Sequence, residues 1–335
     1  MVFNPSKGVL VLHMKEALMM QGAKTIMDNC VSLKAGETVL IITDMVQEGI
    51  AKVLAAAAVE RGGEVVVSVM KPRKKAGEEP PKLIAESMKH ADVILIPVSY
   101  SVTHTYAVKE AAQNGARILV LTDFTEEMLI KGGIEADFKA VKPVCKGVAD
   151  AFANGSKIHL TTPGGTDLWL DITGRRGNAL YCVVEPGEFS TIPTVEANSS
   201  PVEGSANGRI VADASIPYLG IGVLNEPVIA EVKDGFITSI KGGKQADILR
   251  KDLESHNDPN CFNVAELGLG LNPKCRLCGI MLEDEGVVGT AHIGIGTSIT
   301  LGGTVKAPTH YDLLMWNPRI EVDDKVIFDG TEVLI

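Results

Sequence analysis

The sequence predicts two regions of different fold class: an α/β domain over residues 1–155 and a mainly antiparallel α+β domain over residues 156–335. In the first region, short apolar runs rich in β-branched residues alternate with helix-like segments. This alternation indicates βαβ units and a parallel sheet of the Rossmann or flavodoxin type. In the second region, apolar and polar residues alternate between glycine-rich turns, which is typical of antiparallel hairpins.

Four runs in the first region have the length and composition of strands that are buried on both faces. They cover residues 37–44, 63–70, 92–99 and 117–123. Helices are expected before and between them, at residues 9–32, 47–63, 80–91 and 103–116. The first strand is followed by "TDMVQEG" rather than G-x-G-x-x-G, so the sequence offers little support for a dinucleotide site.

The second region opens with "KIHLTTPGGTDLWLDITGR", two alternating runs around Pro-Gly-Gly, which predict a hairpin. Three later stretches continue the alternation, at residues 208–216, 226–240 and 319–330. The segment "KQADILRKDLESH" at residues 244–256 has the spacing of an amphipathic helix. We therefore expect an antiparallel sheet with one or two helices here.

Composition excludes several classes of protein. The 335 residues hold 32 Lys and Arg against 42 Asp and Glu, a net charge of −10, which disfavours non-specific binding to nucleic acid or anionic membranes. No apolar run approaches the roughly 18 residues of a membrane span, and we identify no signal peptide. Six cysteines are too few for a disulfide scaffold, and "CRLC" lacks a second pair, which favours reduced thiols over a zinc or redox site. These features predict a cytoplasmic location.

Polar residues of the second region stand out because they lie in apolar, glycine-rich surroundings. His310 and Asp312 are two residues apart, so on a strand their side chains share one face, about 6.6 Å apart along the chain. Glu266 and His292 lie in "AELGLGLNP" and "TAHIGIG", and Glu188 lies in "EPGEF". Taken alone, His292 could be a hydrogen-bonded core histidine and Glu266 a partner for an arginine, and the nearby Glu283 and Glu285 could be a solvated acidic turn.

Taken together, the carboxylates of Glu188, Glu266 and Asp312 and the imidazoles of His292 and His310 suit divalent metals such as Zn, Co, Mn or Fe. A carboxylate shared between two ligand pairs would hold two ions about 3.5–4 Å apart. The spacing along the sequence cannot by itself bring the residues together in space.

The second region resembles the M29 metallopeptidases, the aminopeptidase T and leucyl aminopeptidase-like proteins. The resemblance implies that Glu188 binds the first metal through a P-x-x-E loop and that Glu266 bridges two ions. His292, in "DEGVVGTAHIGIG", matches the next ligand, and His310 with Asp312 match the H-x-D pair that completes the second ion.

The same resemblance implies two divalent ions (Zn, Co or Mn), a small-molecule or peptide substrate, and a homodimer. Glu285 matches an acidic residue that would orient His292 or carry a proton. Ile299 stands where the peptidases have a tyrosine, so Tyr311 and His104 become candidate replacement donors.

A second resemblance is to the 2,5-dihydroxypyridine dioxygenases, carried by "GFITSIKGG" at residues 235–243, "HNDP" at residues 256–259, and "HYD". Those enzymes bind one Fe(II) through two histidines and an aspartate. Their first histidine falls at Glu266 of this chain, and their counterpart of His292 is apolar.

We therefore expect a dinuclear amide hydrolase of aminopeptidase type, with Glu266 and Glu285 as catalytic residues. Its substrate would be the N-terminal residue of a small peptide, or another small or cyclic amide. The alternatives are an Fe(II)-dependent dioxygenase that opens a hydroxylated N-heterocycle, and a metal-binding protein without catalytic activity.

Overall fold

The computed structural model describes residues 5–103 and 105–335, with side chains from Lys15 onward. The chain forms two compact units. The first holds the described residues up to Lys139 together with Cys182–Ile192, and the second holds Ala140–Tyr181 and Pro193–Ile335. This division differs from a single boundary near residue 155 in two segments, residues 140–154 and 182–192, and the boundary near residue 155 stays a prediction.

The regular elements follow one another along the whole described chain. The helices are α1 (Pro5–Thr25), α2 (Glu48–Glu60), α3 (Lys82–Met88), α4 (Tyr106–Gln113), α5 (Glu126–Ile130), α6 (Phe138–Asn154), α7 (Lys244–Ser255) and α8 (Met281–Asp284). The strands up to residue 216 are β1 (Thr38–Asp44), β2 (Glu64–Met70), β3 (Val93–Val98), β4 (Arg117–Thr122), β5 (Lys157–Thr161), β6 (Asp167–Asp171), β7 (Asn178–Leu180), β8 (Phe189–Thr191), β9 (Glu196–Ser199), β10 (Asn207–Ala212) and β11 (Ser215–Ile216). The later strands are β12 (Gly222–Val223), β13 (Val228–Lys233), β14 (Phe236–Lys241), β15 (Val264–Gly270), β16 (Thr290–Gly296), β17 (His310–Trp316), β18 (Arg319–Val322), β19 (Lys325–Asp329) and β20 (Glu332–Val333).

The first unit contains a parallel sheet with strand order β2-β1-β3-β4-β8. Strands β1, β3 and β4 are buried along almost their whole length, as continuous β-branched runs predict for a sheet covered on both faces. Helix α2 packs with α1 and α5, and α3 packs with α4. The parallel α/β fold predicted for the first region is confirmed.

Helix α6 and strand β8 are among the elements that were not anticipated from the sequence. Helix α6 contains Pro143, which removes a backbone donor from a helix interior and weakens the helical signal. From Ala140 onward it belongs to the second unit, where the Cys145 thiol donates to the Glu196 carbonyl at 3.0 Å. Strand β8 extends the parallel sheet by pairing with β4, because the chain returns to the first unit between residues 182 and 192.

The second unit contains two larger antiparallel sheets. One has the order β14-β13-β10-β6-β5-β18-β19-β20 and includes the predicted hairpin as β5 and β6. Alternate residues of β13 are buried, as expected for a sheet with one covered face. The predicted helix at residues 244–256 is α7, which packs on β13 and β14. The antiparallel α+β character predicted for the second region is confirmed.

The other sheet, which we call the site sheet, has the order β17-β16-β15-β9-β7 and is antiparallel throughout. Strands β15 and β16 are buried at every residue, although each carries a charged or titratable side chain. None of the described helices has the length and apolar character needed to cross a bilayer.

Candidate metal centre

The site sheet brings four of the residues selected from the sequence to one face. Glu266 pairs directly with Gly294, and Gly294 pairs with Asp312. Directly paired residues of an antiparallel sheet point to the same side. His292 and His310 lie on that side as well, since each is two residues from a member of this row. His310 and Asp312 therefore lie on the same face of β17, as their spacing of two residues predicts for a strand.

Glycine occupies the position directly across from each of these side chains, and this makes room for them. A Cβ at Gly268 would lie 2.0 Å from the His292 Nε2 atom, and a Cβ at Gly294 would lie 2.8 Å from the His310 Nε2 atom. Any larger residue would therefore displace an imidazole. The directly paired positions are Glu196 and Gly270, Glu266 and Gly294, His292 and Gly268, His310 and Gly296, and Asp312 and Gly294.

Two groups of three potential ligands share Glu266. The outer group is Glu266, His310 and Asp312, and the inner group is Glu196, Glu266 and His292. Within each group the ligand atoms lie within 4.8 Å of one another. The inner group is buried, whereas the His310 side chain of the outer group is 25% exposed. Solvent therefore reaches this centre on its outer side.

In the outer group, the orientation of His310 is fixed by the backbone. Its Nδ1 atom lies 2.8 Å from the Thr297 carbonyl oxygen, which can only accept, so Nδ1 carries the proton. The Nε2 atom then faces Glu266 Oε2 at 3.0 Å and Asp312 Oδ1 at 3.4 Å. In the neutral imidazole this nitrogen offers its lone pair to the same space as two carboxylate oxygens.

In the inner group, His292 Nε2 lies 3.6 Å from Glu196 Oε2 and 3.9 Å from Glu266 Oε1. The two oxygens of Glu266 thus face different histidines, with Oε2 toward His310. This is the arrangement that a shared carboxylate requires.

Glu188 belongs to neither group of potential ligands found among the described residues, and its role as a ligand stays a prediction. Glu188 lies in an exposed turn before β8, where its Oε2 accepts a hydrogen bond from the Glu185 amide at 3.0 Å, and its carbonyl accepts from Ile118 in the parallel sheet. Glu196 occupies the inner group instead. The P-x-x-E spacing is that of Pro193 and Glu196, whereas the proline and glutamate of "EPGEF" are separated by one residue. The P-x-x-E pattern is therefore the sequence signal that identifies Glu196.

Tyr218 is a residue of the centre that the sequence did not single out. Its hydroxyl lies 2.5 Å from Asp312 Oδ2 and 3.2 Å from Glu285 Oε1. A phenol has one proton, and the shorter contact indicates that Asp312 receives it. Glu285 thus contacts the centre on the Asp312 side. A lone tyrosine in "SIPYLGIG" carries no recognisable motif.

Neither candidate replacement donor, Tyr311 or His104, is found hydrogen-bonded to a ligand carboxylate among the described residues. The Tyr311 hydroxyl donates to Asp252 at 2.8 Å, away from the ligand carboxylates. Ile299 is 51% exposed at the start of a short 3₁₀ turn. His104 lies outside the described residues. The hydroxyl that does contact the centre is that of Tyr218, which donates to Asp312.

The carboxylates perturb the imidazoles strongly. Burial lowers the pKa of His292, but its pairing with Glu266 and the charge of Glu196 outweigh burial and raise that pKa to about 9. For His310, burial is likewise outweighed by the neighbouring Asp312 and Glu266, and its pKa lies well above its usual value. Without a cation, both imidazoles therefore hold protons that balance buried carboxylates.

The carboxylates divide into two kinds. Burial raises the pKa of Glu196 to about 7, and burial with the charge of Asp312 raises the pKa of Glu285 well above its usual value. For Glu266 and Asp312, burial is outweighed by the two histidines, and both pKa values are lowered. The centre thus contains more acidic groups than its two imidazoles can neutralise.

These residues fit a divalent metal. Among the described residues, Glu196 Oε2 and Asp312 Oδ1 are buried without a hydrogen-bond partner and face the imidazoles of the centre, and such atoms are costly to bury. Two atoms that each bind one ion at about 2.0–2.1 Å in tetrahedral geometry lie roughly 3.4 Å apart. The imidazole-to-carboxylate distances of 3.0–3.9 Å match that spacing.

Comparison with known proteins identifies one family. A family model described as NicX, 2,5-dihydroxypyridine 5,6-dioxygenase, matches residues 19–335. A 2,5-dihydroxypyridine 5,6-dioxygenase of Pseudomonas putida is 25% identical over 244 residues, which is 69% of this chain and 68% of that protein.

Two solved structures share the fold. The 2,5-dihydroxypyridine dioxygenase of Pseudomonas putida KT2440 has a TM-score of 0.81 at 18% identity and covers 95% of this chain and 97% of its own. Wild-type AmpT from Thermus thermophilus has a TM-score of 0.69 at 14% identity and covers 96% of this chain and 100% of its own. Kinship with aminopeptidase T therefore holds for the fold, and the family membership is on the dioxygenase side.

Proposed function

The chain belongs to the 2,5-dihydroxypyridine 5,6-dioxygenase family, NicX, and from that premise we propose that it is a metal-dependent dioxygenase that opens a small hydroxylated N-heterocycle. The observation that carries the proposal is the outer group, which brings one imidazole and two carboxylates together from β15 and β17, the two strands that flank β16, with Nε2 of His310 facing both carboxylates. The curated relative and the structural match of highest TM-score given above support the same chemistry.

The donor set of the outer group suits Fe(II). His310, Glu266 and Asp312 would hold the ion with one imidazole and two carboxylates, whereas the facial triads of iron oxygenases use two imidazoles and one carboxylate. When bound, ferrous iron would supply the electron-transfer chemistry with O₂ that oxidative ring opening requires. This chain has Glu266 where the dioxygenases that it resembles have a histidine, so its outer group carries one more negative charge.

The chain's own residues would prepare the site and move protons. The Thr297 carbonyl keeps the His310 proton on Nδ1 and leaves Nε2 for the ion. Tyr218 holds Asp312 through its hydroxyl. Glu285, whose pKa is raised by burial and by Asp312, keeps a proton within hydrogen-bond distance of Tyr218. Glu285 and Tyr218 would thus form a proton route at the outer side of the centre.

A second candidate function is favoured by the inner group. Glu196 and His292 add a complete second set of ligands around the shared Glu266, and His292 occupies a position that is apolar in the dioxygenases that the sequence resembles. A carboxylate shared by two ions is the architecture of two-metal hydrolases. This candidate is a dinuclear hydrolase of a small amide.

For the hydrolase, the substrate class follows from the missing tyrosine at Ile299. Loss of one oxyanion donor costs on the order of 10²–10³ in rate. Tyr218 lies beside Asp312 rather than at Ile299, so it would serve a substrate held at the outer group. A cyclic amide, such as a small lactam or imide, is then a better substrate than an aminoacyl-anilide.

Metal count and oxygen dependence distinguish the two functions. The purified protein is reconstituted under nitrogen with Fe(II), or with Zn, Co or Mn, and its metal content is measured. We expect one Fe(II) per chain and O₂ uptake with 2,5-dihydroxypyridine or a related hydroxylated heterocycle. If protein with two equivalents of metal cleaves a lactam without oxygen, the dioxygenase proposal is overturned and the hydrolase is supported. Failure to bind any of the four metals would overturn both.

We also propose a homodimer, as the M29 resemblance implies. Light scattering of the purified protein, with and without added metal, tests this assembly. A monomeric mass under both conditions would refute it.

A further inference from the structure

One carboxylate oxygen of Glu196, a member of the inner group, accepts a hydrogen bond from a neutral donor. Asn198 donates from Nδ2 to Glu196 Oε1 at 2.8 Å. The other oxygen, Oε2, has no hydrogen-bond partner among the described residues and faces His292 Nε2 at 3.6 Å. Glu196 and Asn198 are both buried, so water does not compete for either oxygen.

The outer carboxylate Asp312 is divided in the same way. The Tyr218 hydroxyl donates to Oδ2 at 2.5 Å. Oδ1 has no hydrogen-bond partner within the described part of the chain, and it faces His310 Nε2 at 3.4 Å. Each group therefore contains one carboxylate with a held oxygen and a free oxygen, and the free oxygen faces the histidine of the same group.

We propose that Asn198 and Tyr218 are positioning residues, each of which selects the carboxylate oxygen that binds an ion, Asn198 for the inner group and Tyr218 for the outer group. The role of Tyr218 rests on the proposed function in either form, whereas the role of Asn198 rests on the second candidate function, in which the inner group also binds an ion. A carboxylate can turn about its last bond and offer either oxygen or both. A neutral donor on one oxygen removes that freedom and orients the other oxygen toward the ion.

The orientation of Asn198 is itself determined by a further amide. Asn178 Nδ2 donates to Asn198 Oδ1 at 2.7 Å, so the Asn198 nitrogen is the end that reaches Glu196. Asn178 Nδ2 also lies 3.2 Å from the Leu301 carbonyl, and Arg175 and Arg176 donate to the carbonyls on either side of Leu301. The inner carboxylate is thus connected through two amides to a loop that three side chains hold.

On the outer side, Tyr218 is placed by packing. Its ring lies against Tyr311, with 5.2 Å between the ring centroids, and the Tyr311 hydroxyl is bonded to Asp252 at 2.8 Å. The two phenols are therefore neighbours with different acceptors. Only the hydroxyl of Tyr218 contacts a ligand carboxylate in this pair, which makes Tyr311 a matched control.

The experiment isolates each group before testing its positioning residue. His310→Ala leaves the inner group, and His292→Ala leaves the outer group. Metal-free protein of each background is titrated with Co²⁺ under nitrogen, alone and with Asn198→Ala or Tyr218→Phe. In the His310→Ala background, we expect Asn198→Ala to weaken Co²⁺ binding by about 10–100-fold and Tyr218→Phe to leave it unchanged. In the His292→Ala background, we expect Tyr218→Phe to weaken Co²⁺ binding by about 10–100-fold and Asn198→Ala to leave it unchanged.

Controls separate positioning from general damage. Tyr311→Phe and Asn154→Ala remove a phenol and an exposed amide outside the centre, and should leave Co²⁺ affinity unchanged in both backgrounds. Circular dichroism and thermal unfolding of metal-free protein check folding. If Asn198→Ala does not fold, Asn178→Ala takes its place, with a smaller loss expected in the His310→Ala background alone.

The possible failures are distinguishable. If the unmodified protein binds no Co²⁺, the proposed metal centre is overturned. If it binds Co²⁺ and both substitutions weaken both groups equally, or neither weakens any, the metal centre stands and the separate positioning roles are overturned. A His310→Ala protein that binds no Co²⁺, while His292→Ala does, would remove the role of Asn198 alone.

Discussion

Strands β3 and β15 are both buried along their whole length, and they are buried for different reasons. Strand β3 reads "VILIPV", six apolar residues between two others of the parallel sheet. Strand β15 reads "VAELGLG" in the middle of the site sheet. One face of β15 carries Ala265, Leu267 and Leu269, and from Glu266 onward the other face carries that glutamate with Gly268 and Gly270.

The difference teaches that burial alone does not define a hydrophobic core. Each large apolar side chain of β3 contributes about 1.5–3 kcal/mol when it is fully buried. On the ligand face of β15, Glu266 is costly to bury, and the glycines beside it contribute no side chain to packing. That face is stabilised by opposite charge, from the histidines or from a metal, rather than by contact between apolar atoms. Substitutions in the two strands should therefore fail in different ways.

The largest expected effect is that of Glu266→Ala. Because both groups share this carboxylate, each retains only two potential ligands. We expect metal affinity to fall by more than about 100-fold, beyond the roughly 10–100-fold typical of a residue that only supports a ligand. Metal content after dialysis against a fixed concentration of Co²⁺ measures it.

Two other glutamates serve as comparisons in the same dialysis. Glu196→Ala should remove binding at the inner group only, and Glu188→Ala should leave metal content unchanged, since Glu188 is exposed in the first unit. Loss of metal on substitution of Glu188, with Glu196→Ala silent, would support the assignment made from the sequence.

The next effect concerns the apolar strand. Ile94 is fully buried in β3, so Ile94→Ala should lower the free energy of unfolding by about 2–5 kcal/mol through lost contacts and a cavity. Metal affinity should not change. Leu267→Ala, on the apolar face of β15, should cost a similar amount. Urea unfolding of metal-free protein gives both values, and a negligible cost for Leu267→Ala would show that the apolar face of β15 is not core.

A smaller effect on stability, with a specific effect on the site, is expected for Gly268→Ala. The added carbon would lie 2.0 Å from His292 Nε2, and the imidazole must move because the backbone of the sheet cannot. Overpacking of this kind costs about 1–3 kcal/mol. Co²⁺ binding at the inner group should be lost, which titration of the His310→Ala background would reveal. Retained binding would mean that His292 is not a ligand.

The smallest effect is a dependence of stability on pH in the metal-free protein. It arises from the site sheet and not from β3, since β3 has no titratable side chain. The pKa of His292 is raised to about 9 in the folded protein, above its usual value. The stabilisation from its charge is thus fully present below about pH 6.5 and is lost as pH rises through 9. Metal-free protein should become less stable between these values.

Metal affinity should move in the opposite direction, since an ion must displace the proton of His292. The expected increase is about tenfold per pH unit for one displaced proton. Titrations with Co²⁺ at several pH values from 6.5 to 9 measure it. Ile94→Ala should keep this slope, and His292→Gln should reduce it to the part that comes from displacing the proton of His310, whose pKa is also raised. An unchanged slope in His292→Gln would assign the dependence to another group.

Much of the architecture was predictable because it depends on local pattern. The runs that form β1, β3 and β4 predict a parallel sheet through their β-branched apolar residues alone. The Pro-Gly-Gly turn predicts the hairpin of β5 and β6. Alternation also placed His310 and Asp312 on one face. Helix α6 was missed because Pro143 interrupts its signal, and β8 was missed because three residues are too few to show a period.

By itself, therefore, the sequence determined the fold class of both regions, and it selected Glu188, Glu266, His292, His310 and Asp312 as residues with metal-binding chemistry. Only the tertiary structure decided that Glu196 completes the set, and that Tyr218 and Asn198 hold its carboxylates. The physical reason is strand register. Glu196 meets Gly270 across β9 and β15, seventy-four residues apart in the chain, and no local pattern encodes a pairing over that distance.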